Sequence, residues 1–314
     1  MKTLTLGKFR ALQRASRQDH TFAVLAIDHI DALRPTMPAD ADIVHFKQEV
    51  LRVLLPEISG VLLDALFGAP QAVAAGLTAH IGLLVQLEQA DYGTLPLPLD
   101  TQIRPDWSVE KIKRLGAEGV KLFFYYHPER SSHAATQEAL VRRVAAACAL
   151  ADVPLYAEPI LYDCAGDEVR RVLPIAARRI ARLGADVLKL QFPLDIGRTA
   201  DERQWEAACA EVTAALDVPW LLLSGGVDFE TFARQLACAC RGGASGFIAG
   251  RALWDVAAGL TEPGMRHKWL CGEGLERIGA LSAMTAEYGR PWTVCYEAEA
   301  VDAAWHARYG ASGV

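Results

Sequence analysis

The feature that most restricts the fold is a repeated alternation of short apolar runs with longer amphipathic stretches. The runs are Phe22–Asp28, Gly60–Ala65, Ile81–Leu87, Val120–Tyr126, Pro154–Glu158, Asp186–Phe192, Trp220–Ser224 and Gly246–Ala249, eight in all. Helical patterns fill the gaps at Ala41–Leu55, Pro70–Ala79, Ser108–Leu115, Thr136–Ala151, Glu168–Leu183, Glu202–Leu216 and Phe229–Arg241. Several runs are entered through helix stops or tight turns, at Gly119, Asp152-Val-Pro154, Gly184, Asp217-Val-Pro219 and Gly243. Short apolar strands joined by helices pair in parallel, with helical crossovers. Eight such units predict an α/β chain closed into a (β/α)8 TIM barrel rather than an open sheet. No G-x-G-x-x-G follows the first run, which weighs against a dinucleotide-binding sheet. The expected organisation is a single domain, with residues 1–260 as barrel and 261–314 as a C-terminal helical extension packed on it. Within the extension Glu273–Tyr288 reads as a helix and Glu297–Arg308 as a second helical candidate. Gln89–Asp106, with Pro96, Pro98 and Pro105, reads as a long loop that covers one barrel end or makes a subunit contact.

Composition narrows the function classes. Of 314 residues 52% are hydrophobic, ample for one large core, and the net charge of −6 argues against a broad nucleic-acid surface. An anionic small molecule needs only a local basic pocket and stays open. No run approaches the roughly 18 apolar residues of a membrane span, and the first ten residues lack a signal-peptide core. The cysteines (Cys148, Cys164, Cys209, Cys238, Cys240, Cys271, Cys295) are odd in number and unevenly spaced, as expected for reduced thiols in a cytoplasm. Cys238 and Cys240 lie two apart on a predicted helix and make a poor metal pair.

In such a barrel the chemistry gathers at the C-terminal ends of the strands. Polar residues expected there are Asp28, His29, Asp64, Gln86, Glu88, Lys121, Tyr125, Glu158, Lys189, Ser224-Gly225-Gly226 and Gly250-Arg251. Lys189 stands out. Strand alternation turns it, with Val187 and Gln191, to the face opposite Leu188, Leu190 and Phe192. A charged amine in an apolar run must be paired, solvated or neutralised. By itself this describes a structural ion pair equally well. The turns after strands seven and eight supply a second signal, since this is the usual phosphate cradle of such barrels. Backbone N–H groups of Ser224, Gly225, Gly226 and Gly250, a helix starting near Asp228 and the forked donors of Arg251 suit a phosphate or sulfonate. A neutral lysine near such a site can form a Schiff base with a sugar ketone. A free lysine titrates at about 10.4, so desolvation or a second cation must help, and Lys121 is the candidate cation. Glu158 is placed to move protons, and Asp28 to act as a second acid or to position a hydroxyl.

Several motifs match a known family. Ala26-Ile-Asp28, Val120-Lys-Leu-Phe-Phe-Tyr-Tyr126, Ala157-Glu-Pro-Ile-Leu-Tyr-Asp163, Ala185-Asp-Val-Leu-Lys189, Leu223-Ser-Gly-Gly-Val227 and Gly250-Arg-Ala-Leu-Trp254 occur in order. Together they resemble the tagatose-1,6-bisphosphate aldolase family, whose superfamily includes sulfofructose-phosphate aldolases. The resemblance implies a class I aldolase, a lyase needing neither metal nor organic cofactor, that splits a phosphorylated ketose into dihydroxyacetone phosphate and an aldehyde. It implies Lys189 as the Schiff-base lysine and Glu158 as the proton-transfer acid. Lys121 matches the strand-four lysine and Asp28 the acid ending strand one. Ser224, Gly225, Gly226, Gly250 and Arg251 match anion-binding positions, with His29 beside the substrate. The partner is a small sugar phosphate, and a dimer or tetramer is expected. Where the family commonly reads Asp-Gln-Arg this chain has Asp28-His29-Ile30, with the nearest arginine at Arg34. Gln191 and His127 replace residues that are commonly acidic. These departures leave the lysine chemistry intact and leave the substrate open among a bisphosphate, a monophosphate and a sulfonated sugar phosphate.

Two other readings compete. A metal-dependent aldolase or epimerase would draw on His29, His45, His80, His127 and His133, which show no ligand spacing such as H-x-x-x-H. A non-catalytic sugar-phosphate-binding regulator would keep the anion site and lose the set Asp28, Lys121, Glu158 and Lys189, all of which are present.

Overall fold

The computed structural model describes residues 1–89 and 98–310. Ten strands occur among them: β1 (Lys2–Leu4), β2 (Phe22–Ala26), β3 (Gly60–Leu63), β4 (Gly82–Gln86), β5 (Gly119–Tyr126), β6 (Leu155–Leu161), β7 (Val187–Leu190), β8 (Trp220–Leu223), β9 (Gly246–Ala249) and β10 (Tyr296–Ala298). Strands β2 to β9 pair in parallel with sequence neighbours, and β9 returns to β2, closing the eight-stranded barrel expected from the alternation. Each barrel strand corresponds to one apolar run. Their interiors are continuously buried, as parallel strands covered on the outside by helices require. The seven expected helices are present with ends shifted by a few residues, and Phe229–Arg241 keeps its expected bounds. The largest shifts, of five residues each, are at Ser131–Leu150, which starts before the expected Thr136, and at Ala69–Ala74, which ends before the expected Ala79.

Differences arise where pairing is non-local. Strand β6 continues through Pro159 to Leu161, three residues beyond its expected end, paired with β5 as far as Tyr126↔Leu161. The β5–β6 pair therefore rises above the other strands and forms a wall at the rim. Glu297–Arg308 is not a helix: Tyr296–Ala298 is a strand and only Trp305–Arg308 is helical. The cause is β1, absent from the sequence reading, which recruits β10 into a parallel two-stranded sheet. The helix Leu6–Ala15 that follows β1 was likewise not anticipated. The Ala15 carbonyl accepts a 2.8 Å hydrogen bond from Ser59 Oγ, just before β3, tying this helix to the barrel's N-terminal end.

The C-terminal residues pack on the same end and side. Trp292 is fully buried and donates to Ser16 Oγ at 2.9 Å, and Tyr296 Oη donates to the Asp186 carbonyl at 2.8 Å. Helix Leu275–Tyr288 lies against Phe229–Arg241, with Arg241 over the Tyr288 ring at 4.6 Å. Of the expected loop, residues 90–97 lie outside the described residues. Beyond them Ile103 bridges Glu88, and Trp107 Nε1 donates to the Gln86 carbonyl at 3.0 Å, which draws the loop to the C-terminal end of the barrel. No described helix is long and apolar enough to cross a membrane. All seven cysteines are free, four of them buried.

Closure at the β9–β2 seam depends on Gly246, whose φ is +130° and where an added Cβ would lie 1.9 Å from the Phe22 carbonyl oxygen. Gly246→Ala is expected to destabilise the protein by about 3 kcal/mol in urea unfolding, the upper end of ordinary point-mutant effects. Gly76→Ala, with φ +71° and nothing within 4 Å, should cost only the left-handed strain of about 1 kcal/mol. Equal losses at the two positions would contradict the steric account of the seam.

Candidate active site

The strand ends bring one continuous ion-pair network to the barrel's C-terminal mouth. Lys121 projects from β5 and is 1% exposed; its ammonium lies 2.7 Å from Glu88 Oε1, 3.1 Å from Asp28 Oδ2 and 3.1 Å from Glu158 Oε2. Glu158, from β6, turns its other oxygen to Lys189 Nζ on β7 at 2.9 Å. His29 Nδ1 stands 3.5 Å from Asp28 Oδ1. Each member follows from strand alternation, which aims every second side chain into the barrel, and from the nearly level ends of parallel strands. Burial pushes Asp28 toward its neutral form, but the charges of Lys121, His29 and Lys189 outweigh it and hold the carboxyl well below the usual range. Burial raises Glu88 despite Lys121. Burial, reinforced by the cations Lys189, Arg251 and Lys121 and opposed by Asp28, brings His29 down to about 4.

The network opens into a cavity of about 520 Å³. Asp28, Glu158 and Lys189 line its floor, and the raised β5–β6 wall contributes Phe123, Tyr125 and Ile160. His29, Ile30 and Asp31 form the side after β2, and Ser224, Gly225, Gly250 and Arg251 the side after β8 and β9. Gly225 and Gly226 have φ of +60° and +81°, successive left-handed residues that only glycine adopts readily and that turn backbone N–H groups into a concavity. Gly226 does not line the cavity. It underlies the Arg251 guanidinium, whose Cζ would lie 2.8 Å from a Cβ at that position. The helix end expected near Asp228 is already capped, since Asp228 accepts from the Thr231 N–H at 2.9 Å. The helix Arg251–Gly259 has no side-chain cap and leaves its first N–H groups to the cavity side.

The expected set Asp28, His29, Glu158, Lys189, Ser224, Gly225, Gly250 and Arg251 thus meets at one cavity, with Lys121 directly behind it. Asp64 does not join them. It pairs with the buried Lys47 and accepts from the Leu66 and Phe67 N–H groups, a turn-forming role. Gln191 accepts from the Leu161 N–H at 3.0 Å and braces the extended end of β6. Sequence reading placed Glu88 at the rim without giving it a role; its position two residues after β4 was the available signal. It also left His127 ungrouped. His127, Cys164 and Glu168 bring ligand-type atoms within 4.8 Å of one another outside the cavity; Cys164 and Glu168 are four residues apart, while His127 comes from the loop after β5.

A family model described as DeoC/LacD family aldolase matches residues 22–256. The chain belongs to the DeoC/LacD aldolase family. It is 31% identical to tagatose 1,6-diphosphate aldolase 2 of Enterococcus faecalis over 93% of this chain and 97% of that protein. It is also 31% identical to tagatose 1,6-diphosphate aldolase of Listeria monocytogenes, over 94% and 96%. Among solved structures, fructose-bisphosphate aldolase from Plasmodium falciparum superposes with a TM-score of 0.70 at 14% identity, covering 92% of this chain and 98% of that one. A Corynebacterium glutamicum protein does so at 0.62 and 17%, covering 90% and 92%. These two share the barrel. An aldolase barrel of this family, with lysine and carboxylate in contact at its mouth, has the parts for carbon–carbon bond chemistry.

The pH behaviour of His29 is a direct check on the site's electrostatics. Between about 4 and 6.5 the unfolded imidazole binds a proton that the folded one refuses. Stability is therefore lost through His29 as pH falls through this window, and the loss is complete below it. In denaturant unfolding, the stability of His29→Gln relative to the natural protein should rise between pH 7 and pH 4.5. A constant difference would contradict the assignment.

Proposed function

We propose that this aldolase works through a lysine Schiff base, reversibly cleaving a phosphorylated ketose into dihydroxyacetone phosphate and an aldehyde. The observation that carries the reading is the contact chain Lys189–Glu158–Lys121, opening onto a cavity with anion donors on one side. The relatives named tagatose 1,6-diphosphate aldolase support the substrate class.

The chemistry follows from these positions. Glu158 takes a proton from the Lys189 ammonium, and the free amine adds to the C2 ketone. Glu158 returns the proton to the carbinolamine hydroxyl, which leaves as water, and a positively charged iminium results. A carboxylate, Glu158 or Asp28, removes the C4 hydroxyl proton; the C3–C4 bond breaks, the aldehyde departs and its electron pair neutralises the iminium as an enamine. Protonation at C3 and hydrolysis release dihydroxyacetone phosphate and restore the amine. The iminium is the electron sink, so the scheme calls on no metal or organic cofactor. Lys121, in contact with three carboxylates, stands across Glu158 from Lys189 and fixes that carboxylate in position for the proton transfers. Ser224, Gly225, Gly250 and Arg251 hold the phosphate, fixing the ketone over Lys189.

Lys189→Met should abolish cleavage to below about one part in 10⁴, and Glu158→Gln should lower kcat by about 10²–10⁴, the range of general acid–base catalysis. Both are to be measured as aldehyde release from ketose phosphates, with circular dichroism confirming the fold. Retention of more than a tenth of kcat in Lys189→Met would exclude the mechanism.

A further inference from the structure

Resting on the aldolase reading, we infer that the cavity holds one anionic group only, so that the aldehyde half of the substrate carries neither phosphate nor sulfonate. The inference comes from the distribution of charge around the cavity. Lys189 and Arg251 are the lysine and arginine among its lining residues. Lys189 is used by the ketone and Arg251 by the phosphate beside it. Lys121 is engaged by Asp28, Glu88 and Glu158. His29 faces Asp28 at 3.5 Å and, with its imidazole held near 4, is neutral at pH 7.

The β5–β6 wall, across the barrel from the strand that leads to Arg251, presents Phe123, the phenol Tyr125 and Ile160, and the segment after β2, next to that strand, presents Ile30 followed by exposed Asp31. Arg34, four residues on, is turned elsewhere: its guanidinium pairs with Asp40 at 2.6 Å, donates to the Pro38 carbonyl at 2.9 Å and lies over the Phe67 ring at 5.3 Å. Residues 90–97 and 311–314, outside the described residues, contain no lysine, arginine or histidine. A second dianion would thus be desolvated against aromatic and aliphatic carbon beside Asp28, Asp31 and Glu158, with no further lysine or arginine among the cavity's described lining residues to receive it. A neutral hydroxyaldehyde meets no such penalty. Exclusion by unpaired charge discriminates more strongly than loss of one favourable contact.

The test fixes dihydroxyacetone phosphate and compares aldehydes in the condensation direction. D-glyceraldehyde is expected to give a kcat/KM at least tenfold above D-glyceraldehyde 3-phosphate, and also above a three-carbon sulfonated aldehyde. Exchange of the C3 protons of dihydroxyacetone phosphate in heavy water, with no aldehyde present, reports Schiff-base and enamine formation by itself. Exchange accompanied by equal or faster use of either anionic aldehyde, or by condensation with none, would overturn the single-anion inference and leave the Schiff-base mechanism standing. Absence of exchange would remove the mechanism and this inference with it. Ile30→Arg should narrow the preference for the neutral aldehyde at least tenfold, and an unchanged preference would also count against the inference.

Discussion

The site depends on one buried cation. Lys121 sits with almost no solvent access among Asp28, Glu88 and Glu158, and without it three carboxylates would share a space in which even one is costly to ionise. Uncompensated, each buried charge would cost several kcal/mol or would neutralise by taking a proton. With Lys121 present, Asp28 stays ionised, and Glu158 retains an oxygen for Lys189. The ammonium also places a second positive charge one carboxylate away from Lys189, which the proposed Schiff-base mechanism requires to become neutral. In that proposal the ion pairs that let these strand ends coexist also arrange the reaction.

Parallel-barrel geometry makes such a network possible at low cost in backbone order. Asp28, Glu88, Lys121, Glu158 and Lys189 come from β2, β4, β5, β6 and β7 or the residues just after them, and closure of the sheet brings non-adjacent members together. No loop must be ordered to assemble the floor. The rest of the cavity is built differently, from the raised β5–β6 wall, the segment after β2 and the glycine turn supporting Arg251. Family membership is therefore compatible with a substrate different from those of the named relatives.

Much of this was legible in the residues. Eight apolar runs separated by helical patterns specify a closed parallel barrel because few other architectures bury that pattern. Strand period alone sent Lys189 inward. Strand order put Lys121 and Glu158 at the same end, and the glycine turns marked an anion site. What stayed hidden depends on distant partners or on local competition for a group. The three residues of β1 carry no signal without β10 nearly three hundred positions away. The apolar run ends at Glu158, yet β5 carries β6 on through Pro159 to Leu161. Asp64 looks like a rim acid until Lys47, on an outer helix, claims it. Asp228 caps its own helix, which moves the available helix end to Arg251. Charge balance at the cavity mouth is likewise invisible in the chain order, because it requires knowing that Arg34 faces away.

The central claim is that Lys189, and no other amine, bonds to the substrate carbon. Incubation with dihydroxyacetone phosphate, reduction with borohydride and peptide mapping by mass spectrometry test it most directly. The expected result is a single reduced adduct on Lys189, formed also in the presence of EDTA. An adduct on Lys121, or none under conditions where the enzyme turns over, would contradict it.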